Sequence, residues 1–239
     1  MPDRLALLVF APVLWLQGRY VRRVTPSLPE PIGARMGCNG PDQQPLRLLI
    51  LGDSAAAGVG VDHQQQALSG QLVQQLATQH QVHWQLIATT GHTLQQTLAA
   101  VADLNDTTFD VIVISIGVND VTGLTATTRW VQQYTQLLQT LQQRFHPQQI
   151  LCSALPPMHV FPALPQPLRW IMGARAKRFN QQLAVRLTQH PTARYVISDF
   201  PMQADFMASD GFHPSALAYT RWADTLYRHL QTTAIMEKP

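Results

Sequence analysis

The stretch L-R-L-L-I-L-G-D-S-A-A-A-G-V-G, Leu46 to Gly60, decides how this chain is read. A run of strand-forming aliphatics stops at Gly52, and an acidic side chain and a hydroxyl follow at Asp53 and Ser54. The pattern predicts a buried strand that hands a serine to a turn. Taken alone, Gly-Asp-Ser is ordinary turn composition. Its meaning comes from three later junctions: a glycine turn at Gly91, the run Gly117-Val118-Asn119-Asp120, and the run Asp210-Gly211-Phe212-His213. Each follows a predicted strand or closes the last loop.

Outward from that strand, Leu68, Leu72, Val73 and Leu76 recur at helical spacing and predict an amphipathic helix over about 64–79. Val82 to Ala88 reads as a second strand, and a helix beginning at Leu94 has Thr93 as its N-cap. The clearest strand is Asp110 to Ile116, whose consecutive β-branched residues suit a strand covered on both faces. A long helix follows over about 127–145, then a strand at Gln149 to Ala154 and a helix from about Leu168 to Gln189. Tyr195 to Ser198 makes the fifth strand, and Pro214 opens a last helix to Leu230, where its missing N–H is harmless. Strands alternating with helices predict an α/β fold, a three-layer αβα sandwich around a central parallel sheet of about five strands. Right-handed crossovers put the C-terminal ends of all strands on one edge, where such sheets bind ligands. Ser54, Gly91 and Asn119 are thereby predicted to converge.

The 239 residues suit one large domain, placed at 46–232, with an apolar segment at 1–24, a linker or wrapping loop at 25–45 and a tail at 233–239. The net charge of +3 is local: residues 1–50 hold six arginines against three acids, and the remainder holds eleven bases against eleven acids. A neutral body without a basic stripe argues against nucleic acid. Cys38 and Cys152 have neither disulfide-framework nor zinc spacing. Leu5 to Leu16 is apolar apart from Pro12 and is followed by Arg19, Arg22 and Arg23. It is short of the roughly 20 residues of a bilayer span. With the arginines behind the apolar run and no small-x-small site after it, a cleavable signal is disfavoured. The expectation is a membrane-surface anchor at residues 5–23 whose arginines meet anionic headgroups, holding the protein on the cytoplasmic face. The alternatives are a helix packed on the domain, or an anchor in a periplasmic or extracellular protein.

A serine hydroxyl becomes a nucleophile when a neighbouring base takes its proton and a third group holds that base. His213 can be the base and Asp210, three residues before it, the orienting group. Acyl transfer also needs donors aimed at the developing oxyanion. The candidates are the backbone N–H of Ser54, the backbone N–H of Gly91 and the side-chain amide of Asn119.

These four blocks resemble the SGNH, or GDSL-type, hydrolase superfamily: Gly52-Asp53-Ser54, Gly91, Gly117-x-Asn119-Asp120 and Asp210-x-x-His213, in the family's order over about 46–230. Two departures stand out. The serine block continues Ala-Ala-Ala, and Thr89 stands two residues before Gly91 where an asparagine often braces the glycine turn. The resemblance implies a flavodoxin-like αβα fold and hydrolysis of lipid-like esters or thioesters through an acyl-serine intermediate, without metal or organic cofactor. Ser54 would be the nucleophile, His213 the base and then acid, and Asp210 its orienter, with Ser54, Gly91 and Asn119 forming the oxyanion hole. Alternatives are a carbohydrate O-deacetylase on the same site, or a binding module in which Thr89 to Thr93 cradles the phosphate of FMN.

Other patterns fail. Ala56 occupies the second glycine of G-x-S-x-G, and Ala57-Gly58 stands where a phosphate loop needs Gly-Lys. The nine histidines are scattered, with His92 of most interest because it adjoins Gly91. Asp53 and Asp120 are read as loop-fixing residues. The proline-rich run Leu155 to Leu168 leaves the fourth strand at the active edge, and Met158, Val160, Phe161 and Leu164 are expected to wall an acyl pocket or face lipid.

Overall fold

The computed structural model describes residues 10–198 and 203–232. The start of the apolar segment and the tail at 233–239 lie outside these residues. In chain order the elements are α1 (Ala11–Val24), β1 (Met36–Asn39), β2 (Pro45–Gly52), α2 (Ser54–Ala57), α3 (Leu68–Leu76), β3 (Gln81–Ala88), α4 (Leu94–Ala102), β4 (Val111–Ser115), α5 (Val118–Thr122), α6 (Thr127–Phe145), β5 (Gln149–Ser153), α7 (Leu168–Leu187), β6 (Ala193–Val196) and α8 (Ala216–Gln231). Short 3₁₀ turns lie at Gln64–Gln66, Met158–Val160 and Ala204–Phe206.

The sheet runs β1-β3-β2-β4-β5-β6. Five strands are parallel, and β1 pairs antiparallel with β3 through Met36 to Asn39. The sheet is therefore six-stranded among the described residues, one more than the periodicity predicts. The extra strand comes from the segment read as a linker, which wraps the domain and pairs with it. Four residues, M-G-C-N, are too few to show alternation, and all four are exposed.

Side chains of a strand point alternately to opposite faces, so β2 serves both layers. Leu48 and Ile50 join α3 and α8 in one core, while Leu49 and Leu51 join α4, α6 and α7 in the other. All four are fully buried. Burying such a side chain contributes about 1.5–3 kcal/mol, which is why the aliphatic run is uninterrupted. On α6, Trp130, Tyr134, Leu137, Leu138, Leu141 and Phe145 form the buried face, with Trp130 stacked on Phe179 of α7 at 4.6 Å.

The predicted helix over 64–79 is divided, with a 3₁₀ turn before α3. Gly70 lies so close to Gln64 O and Gln65 Cα that a Cβ there would clash with both, which packs the turn onto the helix. The N-terminal residues form α1, packed on the domain through Leu14 and Val21. Gln17 also ties α1 to the start of α7: Leu168 N–H donates to Gln17 Oε1 at 3.1 Å, and Gln17 Nε2 donates to Gln166 O at 2.5 Å. None of the described helices is long and apolar enough to cross a membrane.

Candidate active site

β2 delivers Ser54 to the C-terminal edge of the sheet. Gly52 must be glycine, because a Cβ would lie 2.1 Å from Ser115 O on β4 and 2.6 Å from Ala56 Cβ. Asp53 then caps the single turn α2, its Oδ1 accepting from Ala55 N–H at 3.2 Å. Ser54 is the first residue of that turn, where a backbone N–H has no intrahelical acceptor. The hydroxyl and this N–H thus leave the strand together.

His213 arrives from the other end of the chain, in the loop before α8. That loop is held by Ala208 N–H to His213 O at 2.8 Å, by Gly211 N–H to Ala208 O at 2.9 Å and by Ser215 Oγ to Asp205 O at 2.6 Å. Asp210 Oδ1 accepts from the backbone N–H groups of Phe212 and His213, each at 3.0 Å. Its Oδ2 takes His213 Nδ1–H at 2.5 Å, which leaves Nε2 as the acceptor for Ser54 Oγ–H at 2.9 Å. Burial acts to raise the Asp210 carboxyl, but the hydrogen bonds from His213 and Phe212 outweigh it, and the group is held below the ordinary carboxylate range. The serine proton has a direct path to a ring nitrogen whose tautomer is set by an ionised carboxylate.

Gly91 and Asn119 follow the ends of β3 and β4, the two strands that flank β2. Thr89 to His92 form a turn closed by His92 N–H to Thr89 O at 3.1 Å, with Gly91 at φ +85°. That φ is the third-position value of a type II turn, so glycine is required by conformation; nothing lies within 4 Å of an added Cβ. Asn119, on α5, donates from Nδ2 to His92 O at 2.9 Å. An amide nitrogen carries two hydrogens, so one donor remains. The carbonyl of His92, rather than its ring, is the part tied into this arrangement.

Two buried acids brace the frame. Asp120 accepts from Leu94 N–H at 2.9 Å and Thr125 Oγ1 at 3.2 Å, joining α5 to the start of α4, and burial raises its carboxyl. Asp53 is pushed up to about 6, chiefly by burial, and its Oδ2 has no hydrogen-bond partner among the described residues.

Beside Ser54 and His213 opens a largely apolar cavity of about 510 Å³. Leu155, Phe161, Ile197, Phe206, Met207 and Phe212 contribute its apolar wall, and Lys177 and Tyr195 stand among its polar residues. Of the four proline-segment residues expected at a pocket, only Phe161 lines it. Met158 and Leu164 are buried in the core beneath α7, and Val160 is turned toward solvent. The 3₁₀ turn at Met158–Val160 folds the segment back against α7, so its apolar residues divide between core and cavity. Phe206, Met207 and Ile197 come from segments with no motif, and only folding puts them together.

The chain is similar to known proteins in both sequence and fold. The family model of the GDSL-like Lipase/Acylhydrolase family matches residues 50–221. The GDSL-like esterase Rv1075c of Mycobacterium tuberculosis is 29% identical over 205 residues, 81% of this chain; the chain spans 64% of that relative's length. Among solved structures, a member of the lipolytic protein G-D-S-L family from Veillonella parvula superposes with a TM-score of 0.62 at 12% identity, covering 79% of this chain and 100% of the other. The psychrotrophic esterase EstA from Pseudoalteromonas sp. does so with a TM-score of 0.59 at 18% identity, covering 78% and 97%. These two likenesses establish the shared fold. Because the family match extends over most of the chain and includes Ser54, Gly91, Asn119, Asp210 and His213, this protein belongs to the GDSL-like lipase/acylhydrolase family.

Proposed function

We propose that the chain is a carboxylic ester hydrolase that works through an acyl-serine intermediate. The observation that carries this reading is the 2.9 Å contact between Ser54 Oγ and His213 Nε2 at the mouth of an apolar cavity. His213 takes the hydroxyl proton as Ser54 attacks the ester carbonyl, then returns it to the departing alkoxide; water repeats the sequence to release the acid. Asp210 orients the ring. Ser54 N–H, Gly91 N–H and the second N–H of Asn119 Nδ2 receive the oxyanion. The cavity takes the acyl chain, which favours lipid-like esters over the acetyl groups of a carbohydrate. A phosphate-binding role for the Thr89 to Thr93 turn is disfavoured, because the Thr90 N–H and hydroxyl are both given to the Glu30 carboxylate.

A panel of p-nitrophenyl esters of graded chain length tests the reading. Wild-type protein is expected to prefer medium or long chains, and Ser54→Ala to be inactive on all of them. Phe161→Trp, filling the cavity, shifts the preference to shorter acyl groups, whereas the exposed Val160→Trp leaves it in place. Equal turnover by wild type and Ser54→Ala sinks the mechanism, and an unmoved preference in Phe161→Trp sinks the acyl-pocket assignment.

The same reading extends to the source of substrate, which we infer to be an anionic lipid surface on the cytoplasmic side. The outward face of α1 exposes Val13, Trp15, Leu16 and Tyr20, with Phe10 just before it. Arg19, Arg22 and Arg23 lie on the same helix, which carries no acid, and the Arg19 guanidinium stacks 4.9 Å from the Trp15 ring. Exposed aromatics beside unpaired-sign cations suit a helix lying in the headgroup region. The tie from Gln17 to Gln166 and Leu168 seats this helix beside the loop that walls the cavity. Co-sedimentation of the full chain with vesicles checks it: binding is expected to phosphatidylglycerol-containing vesicles, weakened by salt and by Trp15→Ser with Leu16→Ser, and not to pure phosphatidylcholine. A chain that ignores anionic vesicles, or that buries this face in a stable dimer instead, overturns the assignment.

A further inference from the structure

The wrapping segment that supplies β1 also reaches the glycine turn of the site. Glu30 Oε1 accepts from both the backbone N–H and the hydroxyl of Thr90, each at 2.7 Å. Its other oxygen, Oε2, accepts from Arg35 Nη1 at 2.7 Å. Arg35 Nη2 in turn donates to Ala88 O, and Arg35 O accepts from Leu86 N–H at 2.7 Å. One carboxylate and one guanidinium therefore grip the end of β3 on both sides of Thr89. On the opposite side, Asn119 Nδ2 holds His92 O.

We propose that Glu30, seated by Arg35, is a positioning residue that aims the Gly91 N–H into the active site. The reason lies in the turn. Thr90 and Gly91 are its two central residues, and the peptide between them carries the Gly91 N–H. Type I and type II turns differ chiefly by rotation of that central peptide through roughly half a turn, which exchanges its N–H for its carbonyl on a given face. Holding Thr90 by its N–H and its hydroxyl anchors the preceding peptide and the Thr90 side chain, the frame against which the central peptide is set. Charge-assisted hydrogen bonds to a carboxylate are about twice as strong as neutral ones, so a single side chain can do this. Burial opposes the charged form of Glu30, yet the bonds from Thr90 and the charge of Arg35 prevail, and the carboxyl lies below its ordinary range. The brace comes from outside the sheet's crossover loops, from the segment just before β1.

The inference rests on the ester-hydrolase reading and on Gly91 as an oxyanion donor, and its test separates the two. Steady-state hydrolysis of a p-nitrophenyl ester is measured for wild type, Glu30→Ala and Glu30→Gln, with turnover expressed per serine labelled at end point by a fluorophosphonate, and for Ser54→Ala per mole of protein. Glu30→Ala is expected to lose about 10- to 100-fold in kcat per labelled serine, less than the about 10²–10³-fold of removing a donor outright. KM changes by no more than about twofold, because the interaction belongs to the transition state. Glu30→Gln keeps an oxygen acceptor for Thr90 and recovers kcat to within about threefold of wild type. A merely structural role lowers the labelled fraction and leaves kcat per labelled serine at the wild-type value, which overturns the proposal. If Glu30→Ala does not yield folded protein, Glu30→Asp serves instead: it keeps the charge but shortens the reach, and the same loss is expected. An inactive Ser54→Ala with an unimpaired Glu30→Ala refutes the brace alone, whereas an active Ser54→Ala refutes the hydrolase reading.

Discussion

His213→Ala is expected to lower kcat on a p-nitrophenyl ester by about 10⁶-fold, since removing nucleophile or base from such a unit costs about as much as removing the whole unit. Asp210→Asn is expected to cost about 10⁴-fold, because it reverses the hydrogen bond that fixes the ring tautomer while leaving the ring in place. The Nδ1 to Oδ2 distance of 2.5 Å and the two backbone donors on Oδ1 make Asp210 acceptor-only in this loop. An asparagine amide must point a donor at one of those donors. The same substitution has a stability consequence with a definite sign. The Asp210 carboxyl is lowered in the folded state, so it stabilises the fold above its unfolded value, and that contribution disappears as pH falls through the lowered folded value. Thermal denaturation should therefore separate wild type from Asp210→Asn at neutral pH and bring them together at strongly acidic pH. Steady-state kinetics with the two variants check the catalytic half; a residual rate within tenfold of wild type in His213→Ala removes the histidine from the mechanism.

Asn119→Ala is expected to cost about 10²–10³-fold in kcat, the loss found when one preorganised oxyanion donor is removed. The amide is already oriented by its bond to His92 O, so in the proposed oxyanion hole its second hydrogen would meet the oxyanion without a reorganisation cost. KM should stay close to wild type, because a ground-state carbonyl oxygen does not occupy the oxyanion position. Some thermal stability is lost as well, since the His92 carbonyl gives up a partner worth about 0.5–1.5 kcal/mol. The two effects are separable by measuring kcat, KM and melting temperature on one preparation. Full turnover in Asn119→Ala removes this residue from the oxyanion hole even if the protein melts earlier.

Much of this arrangement is legible in the chain because parallel topology does the assembling. Once Leu46 to Leu51 and Asp110 to Ser115 read as buried strands, crossover handedness sends Ser54 and Asn119 to one edge, and β2, β3 and β4 do end there in parallel register, with Gly52 opposite Ala88 and Ser115. Asp210 and His213 are readable from their three-residue spacing, although among the described residues their loop follows the 3₁₀ turn Ala204–Phe206 rather than a strand. What escapes the sequence is held by contacts rather than by pattern. β1 is a strand only because β3 offers it an open edge, and M-G-C-N carries no trace of that partner. Glu30 and Arg35 look like ordinary polar residues in a proline-containing loop until the loop is wrapped around the end of β3. The proline-rich run shows an apolar cluster but not its orientation: a 3₁₀ turn sends Met158 and Leu164 into the core and leaves Phe161 at the cavity. Periodicity reports burial for helices and strands, where geometry repeats, and is silent for a loop.

The separation of 159 residues between Ser54 and His213 has a further consequence, one of timing. During synthesis Ser54 emerges among the first strands, and chains generally begin folding from that end. His213 emerges just before α8, the helix whose Tyr219 hydroxyl reaches back to Val59 O at 2.8 Å and whose buried face packs over Leu48 and Ile50. Closing so long a span comes late, because its entropy must be met before the contact forms. On the proposed mechanism, serine reactivity requires the docking of α8, so the onset of ester hydrolysis is expected to report that docking.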